Sequence, residues 1–333
     1  MKKSCCKAPL PSQAGPVAQK SSIPALEGLL LHVDSGLTIS GYNMQTGIRT
    51  KVSADVVSGG DIVLNARLFG DIIRRMPDDV VTVSVDDRQT VHLSCGDANF
   101  DILGLSAADY PDLPEVEDEY AMSIQQKTLR AMIEEVAFAV STNESRPVHT
   151  GALFEISDAG LTMVAVDGFR LAVRREKLEN MEGGAFSFVA PGSALSEVKG
   201  ICADTEDLAT VTLGRRHILF EVGDTELICR RLEGEFLDYK NAIPRKNPIT
   251  LIADTKSLIE SIDRVSVVIS DKLKSPVRCL FECDKVTLTA KTGNGESRDV
   301  CRLSGDGGGL EIGFNNRYLM EATALCSGGY GED

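Results

Sequence analysis

Three stretches of this 333-residue chain can be laid over one another, and that repetition constrains its fold more than any single motif. They are IPALEGLLLHVDSGLTISGYN (23–43), RPVHTGALFEISDAGLTMVAVD (146–167) and SPVRCLFECDKVTLTAKTG (275–293). Each opens around a proline (Pro24, Pro147, Pro276), then gives an alternating strand, a turn, and a second strand containing Leu-Thr or Val-Thr. The prolines are 123 and 129 residues apart, far beyond the roughly 20–50 residues of a solenoid unit. The pattern is that of a triplicated domain.

The residues before the second and third prolines agree as well. Leu129, Ile133 and Val136 match Leu258, Ile262 and Val265 at i, i+4 and i+7, one apolar stripe of an amphipathic helix. Lys127 and Lys256 each lie 20 residues before their proline. The first copy departs from this. KAPLPSQAGPVAQKSSIP carries Pro9, Pro11 and Pro16 and keeps no stripe, so an irregular or weakly helical segment is expected. A later helix is expected in every copy. In NARLFGDIIRRMPDD it buries Leu68, Ile72 and Met76; PGSALSEVKGI and NNRYLMEATALC supply the other two. Alternating strands such as TVHLSC, DLATVTLG and HILFEVG fill the intervals. The expected fold class is α+β: three similar domains, each with two helices packed on antiparallel sheet.

Acidic, proline-bearing connectors (106–120 and 232–248) divide the chain into expected domains at 1–118, 119–245 and 246–333. The third copy stops at CSGGYGED, where the others continue with strands, so the chain is expected to be C-terminally incomplete.

VAVDGFRLAVRR (164–175) reads as a hairpin with a tight turn at Asp167-Gly168. The run SGDGGG (304–309) lacks the strand-loop-helix context of a phosphate cradle and reads as a flexible loop. No nucleophile elbow, P-loop or HExxH occurs, and Asp78-Asp79 and Asp86-Asp87 sit in turn-like positions. The nine cysteines include no CxxC, and the four histidines are far apart in sequence. These features indicate reduced thiols in a cytoplasmic protein, with neither metal site nor cofactor. No apolar run reaches the ~20 residues of a membrane span.

A net charge of −14 speaks against a generally basic DNA-binding surface, but it does not report how charge is distributed. The basic residues recur on equivalent helices. Lys127, Arg130, Lys256 and Arg264 lie on the first helices; Arg67, Arg74, Arg75, Lys199 and Arg317 lie on or beside the second. Placed on one side of a ring or arc, such helices would offer phosphates an interrupted positive face without reading bases.

The motifs IPALEGLLL, NARLFGDIIRRMPDD, FDILGLSAADYPDLP, AVSTNESRPVHTGALFEI, VAVDGFRLAV, LEGEFLDY and IGFNNRYLMEA occur in one order from residue 23 onward. In this the chain resembles the bacterial replicative sliding clamps, the beta subunits of DNA polymerase III. The resemblance implies a head-to-tail homodimer closed into a ring, with helices around duplex DNA and sheets outside. It implies a non-catalytic processivity factor of DNA replication, which raises the effective concentration of polymerase at its template. Implied partners are the polymerase catalytic subunit, the clamp loader, and repair polymerases and other proteins bearing a clamp-binding peptide.

The family's peptide pocket carries over to His149, Val166, Gly168, Phe169, Arg170, Leu171, Leu237, Asn241 and Ala242. The family commonly has His at Phe169, Pro at Leu237 and a basic residue at Asn241, and its extreme C-terminus completes the pocket. The first two changes keep apolar surface; the third weakens contact with an acidic or polar part of the peptide. Family DNA contacts carry over to Lys20, Asn143, Arg74 and Arg146. The dimer contact carries over to Phe100 and Ile102 on one edge, and Val268 and Ile269 on the other. Two other readings stand beside this one. The first is a clamp-like scaffold or paralogue that binds partners without closing; the second is a catalytic DNA-processing enzyme, supported only by scattered carboxylates.

Overall fold

The computed structural model describes residues 17–18, 22–117, 119–178, 180–182, 184–269 and 275–325. The chain divides into two compact units, the first ending at Phe236 and the second beginning at Leu237.

The first copy's elements are β1 (Gly28–Val33), β2 (Leu37–Tyr42), β3 (Thr46–Val52), β4 (Gly60–Asn65), α1 (Ala66–Arg75), β5 (Thr82–Val85), β6 (Thr90–Cys95) and β7 (Ala98–Leu103). The second copy supplies β8 (Tyr120–Gln125), α2 (Gln126–Ala137), β9 (Gly151–Ser157), β10 (Gly160–Val166), β11 (Leu171–Glu176), β12 (Asn180–Glu182), β13 (Phe186–Pro191), α3 (Gly192–Ile201), β14 (Leu208–Leu213), β15 (His217–Val222) and β16 (Thr225–Arg230). These two copies make up the first unit. Its largest sheet has nine strands in the order β12-β8-β14-β15-β16-β3-β2-β1-β4, so β16 of one copy pairs antiparallel with β3 of the other. Sheets β11-β10-β9-β13 and β5-β6-β7 complete it.

The second unit contains α4 (Tyr239–Ala242), β17 (Ile252–Ala253), α5 (Thr255–Ser266), β18 (Val277–Thr292), β19 (Gly295–Phe314) and α6 (Asn316–Leu325), with sheet order β17-β19-β18. The three copies are therefore α+β with antiparallel sheets, as expected.

The helical stripes bury as their periodicity requires. Leu129, Met132, Ile133 and Val136 of α2 enter one core with Phe154, Phe188 and Phe220. Ile262 and Val265 of α5 enter another with Val277, Val286 and Leu288, and Leu258 packs at its margin. Side chains cap four helix starts among the described residues: Asn65 accepts from Leu68 N, Asp254 from Ser257 N, Asp238 from Asn241 N, and Asn315 from Arg317 N and Tyr318 N.

Three expectations are corrected. On α1 the buried residues are Phe69, Ile72, Ile73 and Met76, while Leu68 is 47% exposed. The stripe is rotated because Phe69, being larger, takes the core-facing position. The turn after β10 is not confined to Asp167-Gly168. Val166 pairs with Leu171, leaving a four-residue loop, 167–170, with Gly168 at φ +90°. Nor is SGDGGG a flexible loop; it lies within β19. A Cβ at Gly307 would come within 2.4–2.6 Å of Phe281, and Gly305, Gly308 and Gly309 have positive φ. The glycines let β19 bend through the register shifts between Phe281 and Lys285 while staying paired to β18.

Candidate functional site: a helix face, a peptide loop and two apolar patches

Each cation predicted on a helix is presented by a backbone that its own apolar stripe holds down, and most meet a carboxylate. Lys127 Nζ donates to Glu206 Oε1 at 2.6 Å, which draws the Glu206 carboxyl below its ordinary range. Arg130 Nε and Lys199 Nζ, on α2 and α3, each lie 3.7 Å from the same Glu134 oxygen. Arg74 pairs with Asp71 at 2.7 Å, Arg264 with Asp299 at 2.7 Å and Arg317 with Glu321 at 2.8 Å. Lys256 and Arg146 are exposed and make no ion pair among the described residues. Asn143 builds its own loop, accepting from Ser145 N through Oδ1 at 3.0 Å and from Arg146 N through its carbonyl. Lys20 lies outside the described residues, as does the proline-bearing segment before it apart from Val17 and Ala18. Residues 326–333 also lie outside them.

The peptide-loop residues of the first unit are organised by Asp167. Its Oδ1 accepts from Phe169 N (3.0 Å) and Arg170 N (3.1 Å), and its Oδ2 from Arg170 Nε (2.8 Å). The Arg170 guanidinium also lies over the Phe138 ring, 5.1 Å from its centroid. With both ends of the loop held, Phe169 projects 82% exposed, while Val166 is buried at the end of β10. His149 lies in the 3-10 turn Pro147–Thr150 and meets the Phe236 ring edge-on at 5.5 Å. Burial, then the Arg146 charge, hold its imidazole below the ordinary value. Leu237, Asn241 and Ala242 belong to the second unit. There Leu237 is 40% exposed and Asn241 Nδ2 donates to Asp238 at 2.6 Å.

At one sheet edge, Phe100 and Ile102 share one face of β7, opposite Leu93 and Val91. Phe100 is 37% exposed; Ile102 packs on the first copy's core. Val268 and Ile269, expected on the other edge, lie on no strand: they follow the end of α5, half-buried against the third core, and the Val268 carbonyl accepts from Thr292. Leu103 at the end of β7 and Val267 at the end of α5, 79% and 80% exposed, are the apolar neighbours that the sequence reading missed. A break in the alternation at the end of β7, and the end of the α5 stripe, were the available signals. Asp167, Phe138, Phe236 and Glu134 were missed as well. The Asp-Gly turn signal marks Asp167, though not as an acceptor, and the i, i+4 spacing to Arg130 marks Glu134; Phe138 and Phe236 carry no local mark.

No three His, Cys, Asp or Glu side chains converge to hold a metal among the described residues. Burial pushes the Cys202 and Cys229 thiols up to about 12 and Cys279 to about 11, so they stay protonated and poorly nucleophilic near neutrality. No helix among the described residues is long and apolar enough to cross a membrane.

Repeated α+β copies, a helix face of mixed charge and a loop with an outward aromatic together define a protein of the DNA-clamp class. The N-terminal, central and C-terminal domains of the DNA polymerase III beta subunit match residues 5–114, 123–238 and 240–328. A beta sliding clamp of Synechocystis sp. is 32% identical over 335 residues, covering 92% of this chain and 84% of the relative. That of Bacillus subtilis is 27% identical over 324 residues, covering 94% and 86%. The crystal structure of a DNA polymerase III beta subunit from Thermotoga maritima aligns with a TM-score of 0.90 at 26% identity, over 98% of this chain and 89% of that one. The chain belongs to the bacterial beta sliding clamp family, the beta subunits of DNA polymerase III.

Proposed function

We propose that this chain, a sliding clamp of DNA replication by family, works as a non-catalytic tether. In this reading two copies join head to tail around duplex DNA and hold a replicative polymerase at its template. The observation that carries it is the recurrence of cations on equivalent helices, Lys127 with Lys256 above all, in a chain whose net charge is −14. A ring that holds DNA topologically needs a face that tolerates phosphate rather than one that grips it.

Lys127, Arg130, Lys199, Lys256, Arg264 and Arg317, with Arg74, Asn143, Arg146 and Lys20, are the proposed DNA-facing set. The Phe169 loop, with His149, Val166 and Leu171, is the proposed wall for partner peptides from the polymerase, the clamp loader and repair polymerases. Leu237, Asn241 and Ala242 are the further residues proposed for peptide binding by their match to the family. Phe100, Ile102, Val268 and Ile269 are proposed to close the dimer. Domains at 1–118, 119–245 and 246–333, and a cytoplasmic location, complete the proposal. The test is primer extension by a cognate polymerase and loader, with a trap that limits synthesis to one binding event. Products lengthen severalfold with the chain present; unchanged product length refutes the reading.

A further inference from the structure

We infer that Glu134 competes with DNA phosphate for Arg130 and Lys199, and so sets how loosely the second copy's helix face holds DNA. The inference rests on the reading that this face meets duplex DNA. Arg130 lies one helical turn before Glu134 on α2, and Lys199 reaches the same carboxylate from the last turn of α3. A single oxygen, Glu134 Oε1, stands 3.7 Å from both nitrogens.

This arrangement differs from the other ion pairs on the helices in that one loosely held carboxylate stands between cations of two helices; Arg264–Glu260, also 3.7 Å apart, lies within α5 alone. At 3.7 Å neither contact is a hydrogen bond, whereas Lys127–Glu206 and Arg264–Asp299 are, at 2.6 and 2.7 Å. All three side chains are also half-exposed, so the attraction is screened and readily exchanged for another anion. The backbones that present them are nevertheless fixed. Leu129, Met132, Ile133 and Val136 anchor α2, and Ala194, Leu195 and Val198 anchor α3, in one core. The neighbouring Glu135 lies 3.0 Å from Arg174.

Two cations and one carboxylate leave this patch a net charge of +1 in place of +2. A phosphate touching Arg130 or Lys199 would sit within a Debye length (~8 Å at physiological salt) of the Glu134 charge and be repelled by it. The patch can therefore attract duplex DNA without immobilising it, and Glu134 is a positioning residue for this face.

The test is fluorescence anisotropy of the full chain with a short labelled duplex, titrated from low to physiological salt. Glu134→Gln keeps the side chain's size and removes its charge. It should bind roughly three- to tenfold more tightly at low salt. The slope of log affinity against log salt should steepen by about 0.9, the contribution of one further phosphate contact in B-DNA. Unchanged or weaker binding by Glu134→Gln overturns the inference. The double variant Arg130→Gln/Lys199→Gln separates this failure from failure of the face itself. If the double variant loses affinity while Glu134→Gln does not gain it, the face binds DNA and Glu134 does not compete. If neither variant shifts binding, this helix face does not meet DNA.

Discussion

Arg49 of β3 donates its Nε to Glu226 Oε2 of β16 at 2.6 Å, across the line where the sheets of the first two copies become one. One position further along the same pairing, the Thr50 and Thr225 hydroxyls share a buried hydrogen bond of 3.0 Å. The seam thus joins an exposed ion pair to a buried neutral one, and burial decides which matters more. Thr225→Val leaves the Thr50 hydroxyl buried without its partner and should cost about 1–3 kcal/mol. Arg49→Ala removes a pair whose arginine is half-exposed and should cost under about 1 kcal/mol. Urea unfolding of both variants measures the order; equal losses would contradict it.

The Phe169 loop separates stability from recognition. Phe169 is 82% exposed, so Phe169→Ala should change stability by no more than about 0.5 kcal/mol. Its loss should still weaken a clamp-binding peptide roughly tenfold, as removal of an aromatic anchor does. Asp167→Ala should act on both, because Phe169 N, Arg170 N and the Arg170 guanidinium lose their common acceptor. Thermal melts beside peptide titrations by calorimetry distinguish the two. A Phe169→Ala variant with parental peptide affinity would remove this loop from the proposed binding wall.

Much of this was legible in the sequence, and the divide follows the range of the interaction. The α2 and α5 stripes could be read because Leu129, Ile133 and Val136 repeat with the helix itself. Leu68 misled because Leu68 and Phe69 are adjacent and both apolar, and only the surrounding core selects between them. SGDGGG resembled a loop because glycine is permissive; the reason for its glycines, the close approach of Gly307 to Phe281, is a tertiary fact. Lys199 meeting Glu134, and Arg49 meeting Glu226 across 177 positions of sequence, leave no local trace. The predicted cations lie on the expected helices; Arg74, Arg130 and Arg317 pair within their own helix, whereas the partners of Lys127, Lys199 and Arg264 across the fold, Glu206, Glu134 and Asp299, were not foreseen.

His92 gives a pH dependence with a definite sign. Its Nδ1 lies 2.6 Å from Asp101 Oδ1 on the paired strand β7, with Asp86 3.8 Å from Nε2. The Asp101 hydrogen bond, followed by the Asp101 and Asp86 charges, raises the His92 pKa above the ordinary 6.5. A raised histidine stabilises the fold fully below its unfolded value and loses that contribution as pH rises through the folded one. The difference in melting temperature between the parent and His92→Gln should therefore be largest below pH 6.5 and shrink at higher pH. His149 and His217 are shifted downward and act in the opposite sense, but they are common to both proteins and cancel in the comparison. A difference that grows with pH would contradict this assignment.

The central claim is that the chain holds DNA by enclosing it. The direct measurement loads the labelled protein with a clamp loader and ATP onto a nicked circular plasmid, then isolates the complexes by gel filtration. Half of the sample is cut once with a restriction enzyme before a second filtration. The account predicts that label stays with the circles and is lost from the linear DNA, because an open end lets a ring slide off. Equal retention on circular and linear DNA would show that the protein grips rather than encircles, and would contradict it.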